Sequence, residues 1–334
     1  MPPMGETVRW GIIGRGWIAE FFAAGLRALP DAELVAVGSR RQETAEEFAD
    51  KLGVPRRHGS HEALANDPEV DVIYVSTPHQ AHKSVTLLCL ESGKPVLCEK
   101  PFAINAAETD EMIAAARRYD LFLMEAMWTR FTPLMAKVRA LLADGAIGEV
   151  RMLSADLGFR AAPGRPPRLF DLAHGGGALM DVGVYVVSFA SMVLGAPTRI
   201  VSMPTMGETG VDEQAAIILG HANGALSILS TAIRTTTPHV ATIMGTDGMI
   251  EIHHDWHKPT AFTLMVTGKA PERFDLPPAA NGYNYEAAEV NRCLRAGLKE
   301  SPILPLAETR SILNTLDQIR AQWGLRYPME GNCH

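Results

Sequence analysis

The stretch Val8-Arg9-Trp10-Gly11-Ile12-Ile13-Gly14-Arg15-Gly16-Trp17-Ile18-Ala19 sets a strand-like apolar run directly before a G-x-G-x-x-A turn. A helix candidate, Trp17–Leu29, follows it, and then a second apolar run, Leu34–Val37. The fingerprint therefore stands inside a β-α-β unit, the context in which it carries meaning. Each small residue has a use there. Gly14 permits the tight turn, Gly16 lets the main chain approach a pyrophosphate, and Ala19 allows the helix to pack closely on the strand. The amides that open the helix face the anion. The stretch predicts a dinucleotide site in which Gly14, Arg15, Gly16, Trp17 and Ile18 meet the phosphates. A glycine turn without a ligand would explain the glycines but not the order of strand, fingerprint, helix and strand.

The same rhythm runs outward from this point. An amphipathic Glu43–Leu52 precedes the strand Val70–Val75, helix Ala81–Glu91, strand Val96–Cys98, helix Ala106–Arg118 and strand Phe122–Ala126. The strands are continuous apolar runs, as in a parallel sheet covered on both faces. After Trp128 the pattern changes. Helices Pro133–Ala143 and Gly177–Leu194 bracket a strand at Glu149–Gly158, and strands then follow one another: Arg199–Met206, Glu213–Leu219, Ala225–Ala232, His239–Gly245, Met249–His253 and Ala261–Val266. Gly, Asn or Asp at the turns between them predict a mostly antiparallel sheet. Helices Tyr285–Ala296 and Leu306–Trp323 close the chain. The expected fold is α/β: an N-terminal Rossmann domain, residues 1–127, with a doubly wound parallel sheet, and a C-terminal α+β domain, residues 128–334, with a mostly antiparallel open sheet. The join is expected around Glu125–Pro133, and no internal repeat is visible.

Size and composition agree with two cores. A chain of 334 residues exceeds one ordinary core, and 47% hydrophobic with 21% charged residues describes a globular protein. With a net charge of −7 and basic residues scattered singly, a nucleic-acid partner is not expected. The reading finds no apolar run of the length that spans a bilayer, and the segment Met1 to Val8 lacks the apolar core of a signal peptide, so the expectation is a cytoplasmic protein without a membrane partner. Cys89, Cys98, Cys293 and Cys333 are far apart without C-x-x-C spacing. They read as reduced, buried or incidental thiols, not as a structural zinc site.

The end of the second strand discriminates between cofactors. NAD enzymes place an Asp or Glu there for the ribose 2′-hydroxyl, and this chain has Gly38-Ser39-Arg40-Arg41. No carboxylate stands ready to repel a 2′-phosphate, and a hydroxyl with guanidinium groups can bind one. Ser39 and Arg40 thus predict NADP(H) over NAD(H), although one or both arginines of a turn can equally be solvated.

Two further motifs lie at the carboxyl edge of the parallel sheet, where ligands of open α/β sheets bind: Ser76-Thr77-Pro78-His79-Gln80-Ala81-His82 and Cys98-Glu99-Lys100-Pro101. With the fingerprint and the later Gly175-Gly176-Gly177-Ala178-Leu179-Met180-Asp181-Val182-Gly183-Val184-Tyr185, the sequence resembles the glucose-fructose oxidoreductase / inositol dehydrogenase / MocA family over nearly its whole length. The resemblance implies that Lys100 is catalytic, that the Lys100–Pro101 bond is cis, and that Asp181 and Tyr185 line the substrate pocket. It extends the cofactor set to Thr77, Pro78, His82, Glu99 and Lys100. Many members carry His where this chain has Tyr185. Tyrosine there, together with Glu125-Ala126-Met127-Trp128-Thr129-Arg130-Phe131, is similar to the branch of dimeric dihydrodiol dehydrogenases and NADP-dependent xylose dehydrogenases. Trp128, Arg130 and Phe159 join Lys100, Asp181 and Tyr185 as expected substrate-facing residues.

The residue chemistry supports this reading independently. Asp181 and Tyr185 are four apart and would share a face of a helix. A tyrosine is a poor base at neutral pH, and a nearby ammonium, expected from Lys100, favours the phenolate. Tyr185 would take the hydroxyl proton during oxidation of a CH–OH group in a sugar, polyol or cyclic diol, and return it during reduction. Without the resemblance, Tyr185 reads equally well as a core aromatic. A cofactor-sensing regulator and an NAD-dependent glycoside hydrolase are rivals on the same fold. Both catalytic candidates are present, which disfavours the first; Ser39-Arg40 and Tyr185 fit the second poorly.

Other features are set aside. His253-His254-Asp255-Trp256-His257 has the composition of a metal cluster, but neighbouring residues on a strand point to opposite faces, so it is read as a hairpin end with solvated histidines and no metal is expected. Arg160, Arg165 and Arg168 flank the Pro-rich Ala161–Leu169, a loop that either covers the site or is simply solvated; His174 is a possible pocket residue. The open face of the second sheet calls for a partner, so a homodimer or higher homo-oligomer is expected.

Overall fold

The computed structural model describes residues 7–161 and 167–331. The chain divides into two compact units, Met1–Phe131 with Ala279–Arg310, and Thr132–Pro278 with Ser311–His334. In the first, β1 (Val8–Ile13), α1 (Trp17–Leu26), β2 (Ala32–Gly38), α2 (Gln42–Leu52), β3 (Arg56–His58), α3 (His61–Ala65) and β4 (Val72–Val75) are followed by α4 (His82–Glu91), β5 (Val96–Glu99), α5 (Ala106–Arg118) and β6 (Leu123–Ala126). The sheet order is β3-β2-β1-β4-β5-β6, with every pair parallel. This is the doubly wound Rossmann order, in which the winding reverses between β1 and β4 and opens a crevice at the strands' carboxyl ends. The strands are apolar because both faces are covered: Val72 to Val75 and Val96 to Glu99 are buried throughout. Asn105 caps α5, its Oδ1 accepting from the Glu108 amide at 2.8 Å.

In the second unit, α6 (Pro133–Ala143), β7 (Val150–Gly158) and α7 (Val184–Leu194) precede β8 (Pro197–Met206), β9 (Asp212–His221), β10 (Leu226–Ala232), β11 (Ala241–Gly245), β12 (Gly248–Ile252), β13 (Ala261–Val266) and β14 (Glu272–Asp275). They form one sheet of order β14-β13-β12-β11-β7-β10-β9-β8. All its pairs are antiparallel except β7 with β10. The α/β reading with a mostly antiparallel second sheet is therefore correct. The helical run Leu172–Leu194 does reach the length and apolar composition of a membrane span, contrary to the sequence reading, but 72% of its most apolar window is buried inside the protein, as in a core helix. Cys89, Cys98 and Cys293 are buried free thiols; Cys333, Arg165 and most of Ala161–Leu169 lie outside the described residues, as does most of Met1 to Val8.

The units differ from 1–127 and 128–334 in two respects: the first runs on to Phe131, and it takes in a segment from near the end of the chain, Ala279–Arg310. Of the last two helices, α8 (Tyr283–Arg295) and α9 (Leu306–Trp323), the first and the opening turn of the second belong with the Rossmann sheet. Trp10 Nε1 donates to Asn291 Oδ1 at 3.1 Å, and Asn281 Nδ2 donates to the Phe21 carbonyl at 2.7 Å. Gly25 in α1 lets this segment approach: a Cβ there would stand 2.9 Å from the Asn284 amide nitrogen. These anchors join residues 260 or more positions apart, so no local pattern announces them.

Candidate functional site

In the first unit the fingerprint forms an open cradle. Gly14 has φ +115°, and a Cβ there would lie 2.6 Å from the Ser76 carbonyl oxygen, so the turn demands glycine both for conformation and for room. Gly16, the residue before α1, is exposed, and a Cβ on it would meet nothing within 4 Å. Its glycine is thus not required by internal packing, and the space suits an incoming group. Arg15 and Trp17 are exposed and Ile18 half-buried around it; the Ala19 amide bonds back to the Gly16 carbonyl at 3.0 Å, and the amides ahead of it precede the helix's own hydrogen-bond ladder. Such a helix start fits a pyrophosphate.

At the end of β2, the Ser39 hydroxyl is hydrogen-bonded with Thr44 Oγ1 at 2.7 Å, and Thr44 donates to the Arg41 carbonyl at 2.9 Å. This fixes the turn and leaves Arg40 and Arg41 exposed. His61 also belongs to this corner. Burial lowers its pKa against the opposing charge of Glu62, and the Arg40 charge adds to the lowering.

At the carboxyl edge of the sheet, the Lys100–Pro101 bond is cis, and Lys100 is half-buried at the end of β5. Its neighbour Glu99 is 4% exposed and turned inward: Oε1 accepts from the Tyr74 hydroxyl, and Oε2 from the Lys100 amide at 3.1 Å. Burial and the charge of Glu99 push Tyr74 well above the ordinary phenol value, and burial beside Glu99 raises Glu286 likewise. His82 is fully buried and bridges two carbonyl oxygens, Pro101 through Nδ1 and Thr77 through Nε2, each at 2.8 Å. Both His82 and Glu99, expected against the cofactor, thus brace the backbone that carries Thr77 and Lys100; Pro78 is exposed beside them.

Trp128 and Arg130 follow the last strand of the parallel sheet. Both are 3% exposed. Trp128 stacks on Tyr283 at 4.7 Å over Gly282, and Arg130 donates to Glu308 at 2.6 Å. Partners far along the chain, Tyr283 and Glu308, cover much of both side chains. Glu125 is buried near them; burial pushes its carboxyl up to about 7 while the Thr309 hydroxyl donates to it.

In the second unit the residues before α7 form a π-helical turn, Leu179–Gly183. The four-residue spacing of Asp181 and Tyr185 therefore crosses a π/α junction and not a regular α-helix, and does not by itself put the two on one face; π turns recur at functional sites. Asp181 is half-buried and accepts from Arg168 Nη2 at 3.2 Å, which gives one arginine of the flanking loop a defined partner. Tyr185 is 7% exposed, with its ring edge-on to His257 at 5.9 Å. Phe159 is half-buried just after β7, its amide bonded to the Ala232 carbonyl, and Arg160 beside it is exposed. His174 pairs at 2.7 Å with Asp171, whose pKa it lowers. His257 is half-buried beside Tyr185 rather than solvated, a neighbour that 72 positions of chain hide from any local sequence pattern.

Residues 8–127 match the model of an oxidoreductase family with an NAD-binding Rossmann fold, and residues 135–251 match a GFO/IDH/MocA C-terminal domain. The chain is 42% identical to trans-1,2-dihydrobenzene-1,2-diol dehydrogenase of Mus musculus, over 97% of this chain and 99% of the relative. It is 41% identical to the enzyme of the same name from Homo sapiens, over 97% and 99%. Among solved structures, a 3-ketoreductase from Actinomadura kijaniata in complex with NADP and TDP-benzene is 25% identical, with a TM-score of 0.84 over 94% of this chain and 97% of that one. An aldose-aldose oxidoreductase from Caulobacter crescentus, 24% identical, shares the fold with a TM-score of 0.87 over 96% and 98%.

Proposed function

The chain belongs to the GFO/IDH/MocA oxidoreductase family, and from that premise we propose that it transfers a hydride between NADP(H) and a CH–OH carbon of a cyclic diol, sugar or polyol. The observation that carries the reading is the open glycine cradle before α1 together with the acid-free end of β2, where Arg40 is exposed. Gly14 and Gly16 admit the pyrophosphate to the start of α1, with Arg15, Trp17 and Ile18 around it. Ser39 and Arg40 receive the 2′-phosphate. When bound, NADP+ supplies the hydride acceptor.

The protein's own part is positioning and proton transfer. Tyr185 accepts the hydroxyl proton as the carbon-bound hydride departs, and returns it in reduction. Lys100 supplies the positive charge that favours the phenolate. Asp181, held by Arg168, and Phe159 orient the substrate. The enzymes named above as relatives act on a trans-diol of a dihydrobenzene ring, and this class heads the substrates to be tried.

The test is a panel of trans-dihydrodiols, sugars and polyols incubated with NADP+ or NAD+, followed by the absorbance of the reduced nicotinamide. Turnover with NADP+ on at least one member, and faster than with NAD+, is expected. Tight NADP+ binding by calorimetry without turnover on any member would instead favour the cofactor-sensing regulator.

A further inference from the structure

His239, two residues before β11, stands with Asp255 and His257 of the turn between β12 and β13. One ligand atom of each lies within 4.8 Å of the others. The sequence expectation placed residues 253–257 at a strand end with alternating side chains, but β12 stops at Ile252 and the segment is a turn. His253 leaves the group by pairing with Thr263 Oγ1 at 2.8 Å, and His239 enters it from 16 residues before Asp255.

The surroundings are those of a built ligand set. His239 is 9% exposed, and its Nε2 faces the Gly158 carbonyl oxygen at 2.6 Å. A carbonyl only accepts, so Nε2 donates there, and Nδ1, on the Asp255 side, is the nitrogen that a metal would take in place of its present partner. The Nε2 bond is the outer hydrogen bond that fixes the tautomer of metal-bound histidines. Nδ1 in turn points at Asp255 Oδ1, 3.0 Å away. The backbone beneath is clamped: Asp156 accepts from the amides of His239 and Val240 at 2.7 and 3.1 Å, and the buried Trp256 indole donates to the Asp156 carbonyl at 2.7 Å. His239 and Asp255 both hold positive φ, +56° and +63°, a conformation of the kind kept at sites where surrounding structure over-determines it. The His257 ring is edge-on to His239 at 5.7 Å.

We propose that His239 Nδ1, Asp255 and His257 bind a divalent transition metal of the zinc class, as three protein ligands with a fourth position open, beside the ring of Tyr185. Two imidazoles with one carboxylate favour zinc or cobalt over magnesium or calcium, which prefer oxygen. In a tetrahedron with bonds of about 2.0–2.2 Å, ligand atoms stand roughly 3.3–3.6 Å apart. The His239–Asp255 pair thus opens by a few tenths of an ångström on loading, and the widest separation closes. A bound ion joins the β12–β13 turn to the start of β11, so it stabilises the folded chain.

The test uses the full chain, freed of metal with a chelator and titrated with Zn2+ by calorimetry and Co2+ by visible absorption. One equivalent should bind, Co2+ should give the intense bands of a four-coordinate site, and the melting temperature should rise with Zn2+. His257→Gln and Asp255→Asn should each weaken binding by about tenfold or more, and His253→Gln should leave it unchanged. His239→Gln is included with circular dichroism as a check of folding, and the two turn variants decide the matter if it unfolds. No saturable binding in the wild type, or equal affinity in His257→Gln and Asp255→Asn, overturns the proposal.

Discussion

Tyr185 presents a phenol with one ring edge against His257 and little exposure, so replacing it by phenylalanine removes a hydroxyl and keeps the packing. If that hydroxyl carries the substrate proton, Tyr185→Phe should lower turnover by about 10²- to 10⁴-fold, the usual worth of general acid–base catalysis, with NADP+ affinity unchanged by calorimetry. Lys100→Met should fall at least as far, and the double variant no further than the worse single one, because residues acting as a unit are not additive. Near-full activity in Tyr185→Phe would move the proton to another group. Arg40 carries a separate prediction. Its exposed guanidinium can make a charged hydrogen bond to a 2′-phosphate worth about 1.5–3 kcal/mol, so Arg40→Ala should raise the Michaelis constant for NADP about tenfold or more. The constant for NAD should hardly change. Equal losses for both cofactors would assign Arg40 to the fold or the adenine end.

At the scale of elements, the start of the α7 region shows how a buried acid is accommodated and what it costs. Gly177, at φ +115°, leaves no room for a Cβ, because Asp212 Oδ1 would lie 2.1 Å from it. Asp212, at the head of β9 and fully buried, accepts from the Leu179 amide at 2.7 Å. Burial pushes this carboxyl up to about 7 from its ordinary 3.8, against the hydrogen bond and the charge of Arg320. Between pH 4 and 7 the folded chain then keeps a proton that the unfolded chain gives up. Stability from this group is full below about pH 4 and falls as pH rises to about 7, by at most about 1.4 kcal/mol per pH unit. Glu125, also near 7, acts in the same direction. Urea midpoints should therefore fall from pH 5 to pH 8 less steeply in Asp212→Asn than in the wild type, and identical slopes would show that Asp212 is ionised throughout. No sequence pattern announces this pair, since glycine and acid lie 35 positions apart. What is legible follows the same physics. α5 and α9 are foreseen to the residue from apolar spacing, and β1 and Gly14 from the fingerprint. The three-residue β3, Arg56–His58, has no apolar residue, and β14, Glu272–Asp275, is mostly charged, so edge strands escape. The π turn escapes because its residues suit an α-helix equally, and the burial of Trp128 and Arg130 because Tyr283 and Glu308 cover them from the other end of the chain.

For the molecule as a whole, the outward face of the second sheet has the last claim on explanation. Strand register sets Val201 beside Ile218 and Ile218 beside Ile228, with Met203 beside Ala216 and Leu226 beside Met152 in the flanking rows. Val201 is 62% exposed and Met203 77%, and Ile218, Leu226, Ile228 and Met152 are exposed with them. The inward residues of the same strands, Ile217, Leu219 and Leu229, are buried, so the alternation that should place polar residues outside fails on four adjacent strands. Soluble proteins seldom leave such an apolar surface to water, and one that continues across several strands marks an interface. A second copy of the same face is the simplest partner, because a twofold contact makes one patch complementary to itself. Light scattering at micromolar concentration should then give at least twice the mass of one chain. Val201→Glu combined with Ile228→Glu places charges in the central row, where each would meet a charge or apolar surface across the twofold. That variant should run as a monomer with unchanged circular dichroism, since both side chains point away from the core. A wild type that stays monomeric, or a double variant that keeps the wild-type mass, would mean that the face is covered by something other than its own copy.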